Sequence, residues 1–362
     1  MMSVAKSKVF GTGLIALDLV VGADPKSPVR SWTGGTCGNV LSILAYLGWD
    51  SFPIARMNGD PASQRVRADM AHWGVHLDFA SCGPTSHTPI VVQEIRHGRD
   101  GKPKHRFSWS CPKCGQWLPG FKPVTIAAVH SVAPALDNVS VFFLDRLSRA
   151  ALSLAKEAAE RGAVIVFEPS GKGPDKLLAE AINIAHIVKY ANQRLESIGG
   201  VMGKGAATIL EVQTLGEQGL KYRHRFGRLP SGWIHVSAIP APRLSDTCGS
   251  GDWCTAGLIA KVASKGVSGL REIGADGLKG ALRYGQVLAA WNCGFEGARG
   301  GMYAVARSEF DAQVTALMAG ELDDIVRTTD RPKSGSLVDC PACPPPSPRR
   351  RAASHRTKRV AA

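Results

Sequence analysis

The stretch DTCGSGDWCTAGL, residues 246–258, decides how this chain is read. Gly249, Ser250 and Gly251 are small and lead directly into an acid, Asp252, and a helix-compatible run follows. The first backbone N–H groups of a helix lack intrahelical partners and, with the helix dipole, favour an anion. Small residues let that backbone approach a phosphate closely. A carboxylate at the same place would repel a resting phosphate. It makes sense as a base. Asp252 takes the proton of a hydroxyl whose oxygen then attacks phosphorus, and the amides of Gly249, Ser250, Gly251 and Asp252 hold the transferring charge. The plainer alternative is a glycine turn with an N-capping aspartate, and this stretch alone leaves both open. Neither GxxxxGK[ST] nor a GxGxxG between strand and helix occurs, so P-loop and Rossmann nucleotide sites have no support.

The rest of the chain supplies the frame. KVFGTGLIALDLVVG (8–22) reads as a strand, a glycine turn and more strand, and GGTCGNVLSILAYLG (34–48) as a glycine turn and a helix. After residue 140, apolar strands (VFFLD, AVIVFE, HIVKY, ATILEV) alternate with amphipathic helices (RAALSLAKEAAERG, DKLLAEAINIA). That alternation predicts an α/β protein whose parallel sheet is covered on both faces. Residues 88–109 instead read as a hairpin around a polar glycine turn. The 362 residues allow one large domain, and no apolar run is long enough to span a membrane. MMSVAKSKVF lacks a secretory signal, so a cytoplasmic location is expected. Net charge is +14, and eight basic residues with one acid from 331 onward contribute half of it. Such a tail suits contact with nucleic acid, with a solvated terminus as the plainer reading.

DTCGSGD resembles the DTxGAGD motif of the ribokinase-like (PfkB) carbohydrate kinases, and other stretches follow that family's order between residues 8 and 310. GTGLIALDLVV is similar to its opening strand, whose acid, here Asp18, grips substrate hydroxyls. GGTCGNVLSILAYLG resembles its first glycine motif, with Gly34, Gly35 and Asn39 at substrate-facing positions. RMNGDPASQRVRADMAHWGVHLD resembles its GxDxxG stretch, and TLGEQGL its TxGxxG loop, which puts Thr214, Gly216 and Gly219 along the nucleotide phosphates. The resemblance implies a three-layer αβα ribokinase-like fold with a mostly parallel central sheet and a small β lid. It implies a kinase domain over residues 1–327, with lid segments near 18–33 and 88–120, and a separate tail, 328–362. It also implies ATP and Mg²⁺, a sugar or sugar-like acceptor, no membrane, a homodimer through the lid, and a monovalent cation such as K⁺ held near the anion hole with help from Asp246. The family's NxxE motif is imperfect: in KYANQRLESI, Asn192 is followed three places on by Leu195 and Glu196 comes one place late. A shifted register puts Ala191 and Arg194 there. Glu168 offers a further acid at a strand end, or a solvated loop acid. Trp253 stands where the family often has a small residue and is expected to pack beneath the site. Arg96, Arg99, Lys102, Lys104 and Arg106 make the lid basic, which suits an anionic acceptor or simply a solvated hairpin.

Nine cysteines without an export signal argue against a disulfide framework. Four form two pairs, Cys111 and Cys114 in CPKCG, and Cys340 and Cys343 in CPAC. Together they can supply the four thiolates of one structural Zn²⁺ site pinning the tail to the lid. A redox-active pair, two independent half-sites closed by His105 or His130, or unligated thiols are the alternatives. A second functional class stays open too: a kinase-fold scaffold with weak or no catalysis, a zinc-pinned lid and a basic tail.

Overall fold

A computed structural model describes residues 6–22, 29–83, 85–98, 101 and 103–329. The strands are β1 (Lys8–Thr12), β2 (Ala16–Val21), β3 (Arg30–Gly34), β4 (Asp50–Met57), β5 (Ala80–Cys82), β6 (Ile90–His97), β7 (Pro103–Ser108), β8 (Val141–Leu144), β9 (Val164–Phe167), β10 (Ile187–Ala191), β11 (Leu210–Thr214), β12 (Leu220–His224) and β13 (Ile234–Val236). The helices are α1 (Thr36–Tyr46), α2 (Pro61–His72), α3 (Ile126–Val132), α4 (Arg149–Glu160), α5 (Asp175–Ile184), α6 (Ser250–Val262), α7 (Gly266–Glu272), α8 (Gly274–Asn292), α9 (Gly300–Ala304) and α10 (Arg307–Ala319).

Nine strands form the main sheet in the order β13-β12-β11-β10-β9-β8-β1-β4-β5. The strands from β11 to β5 are parallel to their neighbours, and β12 and β13 run antiparallel at one edge. Alternate side chains of one strand serve opposite faces. Val141 and Phe143 join the core under α1, α6 and α8, while Phe142 and Leu144 join the core under α4 and α5. The continuous apolar runs at 141–144 and 164–167 therefore reflect a sheet buried on both sides. Short polar signals start the helices. Asp60 accepts from Ser63 N–H at 2.7 Å ahead of α2, and Ser148 from Ala151 N–H at 3.1 Å ahead of α4.

The glycine turn at 13 splits the first apolar stretch between two sheets. β1 lies inside the main sheet, while β2 enters a four-stranded sheet, β3-β2-β6-β7. There β2 pairs parallel with β6, and two antiparallel pairings complete it. This sheet leans on the loop before α9: Arg30 pairs with Glu296, and the Trp32 ring lies against Gly297.

Candidate active site

Successive strands are laid on one side of β1 (β4, β5) and then on the other (β8 onward). Such a reversal opens a crevice at the carboxyl ends of the strands, the usual ligand site of open α/β sheets. Gly13 follows β1 there, and Asp145 follows β8. Leu14 N–H donates to Asp145 at 2.9 Å, and a Cβ on Gly13 would sit 1.6 Å from that carboxylate. Burial lifts Asp145 to about 6, against the pull of Arg146.

The start of α6 faces this crevice. Gly249 caps the helix in the left-handed region at φ 74°, and a Cβ would fall 2.3 Å from the Ala298 carbonyl oxygen. Any larger residue would push the turn away, so glycine is required. Asp252, in the first turn, accepts from Asn39 Nδ2 at 2.7 Å. The structure thus joins residues 213 positions apart that came from two separate motifs. Burial lifts Asp252 to about 7, Glu168 adds to the rise, and the Asn39 hydrogen bond and Lys189 oppose it. Glu168 is no solvated loop acid. It is buried, accepts from Lys189 at 2.8 Å and from the Thr255 hydroxyl at 2.5 Å.

Asp18 lies on β2 with its carboxylate against Gly34, where a Cβ would be 1.8 Å away. Burial lifts it to about 7, Asp252 adds to the rise, and Arg299 and the Gly35 N–H oppose it. Sequence reasoning missed the support beneath it. Buried Arg299 donates to the Thr33 carbonyl at 2.8 Å and to Asp69 at 2.6 Å, and Tyr303 donates to Asp69 at 2.7 Å. No local pattern links positions 230 residues apart. Lys189 did leave a signal, a cation in the middle of an apolar strand.

Thr214 ends β11, and Gly216 and Gly219 shape the turn after it, at φ 62° and 95°. A Cβ on Gly219 would lie 2.2 Å from the Val236 carbonyl oxygen. The turn adjoins the end of β10, where Asn192 N–H donates to Thr214 O at 3.0 Å. Arg194, two residues on, lowers both Asp252 and Asp145 by its charge, so in the shifted register a cation stands where the NxxE motif has an acid. Trp253 packs beneath the site, fully buried against Trp291.

The model of the pfkB family carbohydrate kinases matches residues 9–303. The chain belongs to that family. This pfkB kinase is 25% identical over 280 residues to a fructokinase of Klebsiella pneumoniae, covering 72% of this chain and 86% of the relative. Its fold is shared with a Xylella fastidiosa fructokinase with bound ATP (TM-score 0.67, 16% identity, 88% of this chain and 99% of the other). It is also shared with a Burkholderia thailandensis nucleoside kinase in complex with inosine (TM-score 0.62, 19% identity, 91% and 100%). The family makes this chain an ATP-dependent carbohydrate kinase.

Three metal expectations fare differently. Asp246 does not suit a monovalent cation, because both its carboxylate oxygens already accept N–H donors. Cys111 and Cys114 sit in a turn closed by Gly115, whose N–H donates to Cys111 O at 2.9 Å, and Lys113 N–H points at the Cys111 sulfur at 3.4 Å. Cys340, Cys343 and the basic tail around them lie outside the described residues, as do Arg99 and Lys102 of the basic hairpin. Among the described residues, no three His, Cys, Asp or Glu side chains are gathered as a metal site. Nor is any described helix long and apolar enough to cross a membrane.

Proposed function

We propose that this kinase transfers the terminal phosphoryl group of ATP to a hydroxyl of a sugar or sugar-like molecule, with Asp252 as general base. The 2.7 Å bond from Asn39 to Asp252 carries this reading, because it ties the first glycine motif to the carboxylate at the start of α6. Asp18, Gly34, Gly35 and Asn39 orient the acceptor. Its hydroxyl proton goes to Asp252 as its oxygen attacks phosphorus, the bond to the bridging oxygen of ADP breaks, and the proton later leaves to water. A base lifted to about 7 can be both ionised and basic at neutral pH. The amides of Gly249, Ser250, Gly251 and Asp252 hold the negative charge on the moving group. Thr214, Gly216 and Gly219 line the nucleotide; Mg²⁺ carried on its phosphates would neutralise their charge, and Glu168 is the acid that would assist in holding it. The four-stranded sheet is the lid that keeps water from competing for the phosphate.

The relatives act on unlike acceptors, so the test is a panel of sugars and nucleosides with ATP. Asp252→Asn should lower kcat by about 10²–10⁴-fold, the usual contribution of a general base, while nucleotide binding persists. Undiminished turnover by that variant would remove Asp252 from the reaction. Arg194 at the position of the NxxE acid favours one rival, a kinase-fold scaffold, which predicts no turnover of any acceptor. We further propose that Cys111, Cys114, Cys340 and Cys343 share one structural Zn²⁺, supported by the N–H to sulfur contact in the CPKCG turn.

A further inference from the structure

Asp246 and the loops beside it present the oxygens that a monovalent cation would need. Asp246 is fully buried, and the carbonyls of Cys248, Gly297 and Ala298 all face one nitrogen, Asn292 Nδ2. Hard cations take oxygen lone pairs, and N–H donors compete for the same lone pairs and repel the ion. Here these oxygens meet N–H groups of the protein itself. Cys248 N–H at 2.8 Å and His105 Nε2 at 3.1 Å reach Asp246 Oδ1. Gly297 N–H at 2.7 Å and Gln93 Nε2 at 3.3 Å reach Oδ2. Asn292 Nδ2 stands 3.5, 3.5 and 3.1 Å from the Cys248, Gly297 and Ala298 carbonyl oxygens. Trp253 Nε1 donates to the same Ala298 oxygen at 3.0 Å. The Asn292 amide has its orientation fixed, since its Oδ1 accepts from Gly301 N–H at 3.2 Å, which turns the NH₂ end toward the carbonyls.

We infer that fixed N–H donors from Gln93, Trp253 and Asn292, with the His105 ring set against Asp246, replace the monovalent cation in this kinase. Its activity is independent of potassium, and these four are positioning residues for the anion hole. The catalytic part of this inference rests on the proposed function. The link to the anion hole is direct: the Ala298 carbonyl that Asn292 and Trp253 hold is the group against which Gly249 caps α6. Gln93 and His105 come from β6 and β7, so the same side chains fasten the four-stranded sheet over that turn. His105 also lies 2.8 Å from the Thr247 hydroxyl, three residues before Ser250 opens the helix.

The full chain is assayed in potassium chloride and in tetramethylammonium chloride at equal ionic strength. Equal rates are expected. Activation by potassium beyond about five-fold, the low end of ordinary effector couplings, overturns the inference. Crystals soaked in thallium(I) give a readout that needs no acceptor. No anomalous peak should lie beside Asp246 or among the Cys248, Gly297 and Ala298 carbonyls, and a peak there overturns the inference. Asn292→Asp supplies the converse test at pH 8. A carboxylate oxygen facing three carbonyls should make both rate and melting temperature rise with potassium but not with tetramethylammonium. A folded Asn292→Asp protein indifferent to potassium overturns the inference. Where that variant fails to fold, the thallium and rate measurements on the unaltered chain still decide. A chain that phosphorylates no acceptor ends the proposed reaction, and thallium then decides this inference by itself.

Discussion

Two carboxylates in one crevice, Asp18 and Asp252, are both lifted to about 7, chiefly by burial and partly by each other or by Glu168. An acid raised in the folded state keeps its proton after the unfolded chain has released its own. Between the unfolded value near 4 and the folded value near 7, the native protein binds more protons, so stability falls as pH rises. In the reaction proposed above activity moves the other way, because Asp252 would act there as the carboxylate. The rate should therefore climb from pH 6 to pH 8, with an apparent midpoint of about 7 that belongs to the pair of acids. Asp252→Asn should melt higher than the unaltered chain at pH 8, and the gap should shrink to roughly a third by pH 5 and close only below the unfolded value near 4. Thermal scans at both values check it, and a gap unchanged with pH would show that Asp252 is not a buried charge. This prediction sets function against stability at a single residue.

At the scale of elements, the placing of the α6 start, the proposed anion hole, depends on how closely α6 lies to α8. A Cβ on Gly257 would come 2.8 Å from the Gly285 Cα, and one on Gly285 would come 2.6 Å from the Cys254 carbonyl oxygen. Both obstacles are backbone, so the helices themselves must separate. Gly285→Ala should cost about 1–3 kcal/mol, as overpacked cores do, despite the better helix propensity of alanine. It should also lower kcat, since α6 carries Asp252 at its start. Denaturant titration and steady-state rates check both; a Gly285→Ala protein of unchanged stability would refute the close contact. Elements were the most legible level in the sequence. Glycine turns and unbroken apolar runs disclosed the parallel sheet and the start of α6, because those signals are local. Asn39 was named through the resemblance of 34–48 to the family's first glycine motif. Arg299, Asn292 and His105 were not legible in this way. Each acts through a partner at least forty residues away or through backbone carbonyls, which carry no sequence signal. The surroundings of Asp246 were illegible for the same reason: the carboxylate stands in its motif, while Gln93, His105 and Gly297, which meet it, come from three other places in the chain.

For the whole molecule, the question is how the second sheet and the end of the chain are held. Native protein should carry one equivalent of zinc per chain. A variant changed from Cys340 and Cys343 to Ser should lose it, while the main sheet, whose described strands all lie between Lys8 and Val236, stays folded. Mass spectrometry of the native protein and of that variant measures the metal. Metal-free native protein, or a variant that keeps a full equivalent, would rule out the shared site. The strand order has another consequence, one that falls on synthesis. In the finished sheet, β1 is central, between β4 and β8, but β8 is made more than a hundred residues after it. At about 5–20 residues per second, a ribosome leaves one flank of β1 without its partner for on the order of ten seconds. An apolar strand with an open flank is a template for other chains. Nascent chains of this kinase that stall before residue 141 therefore present an adhesive edge, and holding them apart until β8 arrives is work for a chaperone at the ribosome exit.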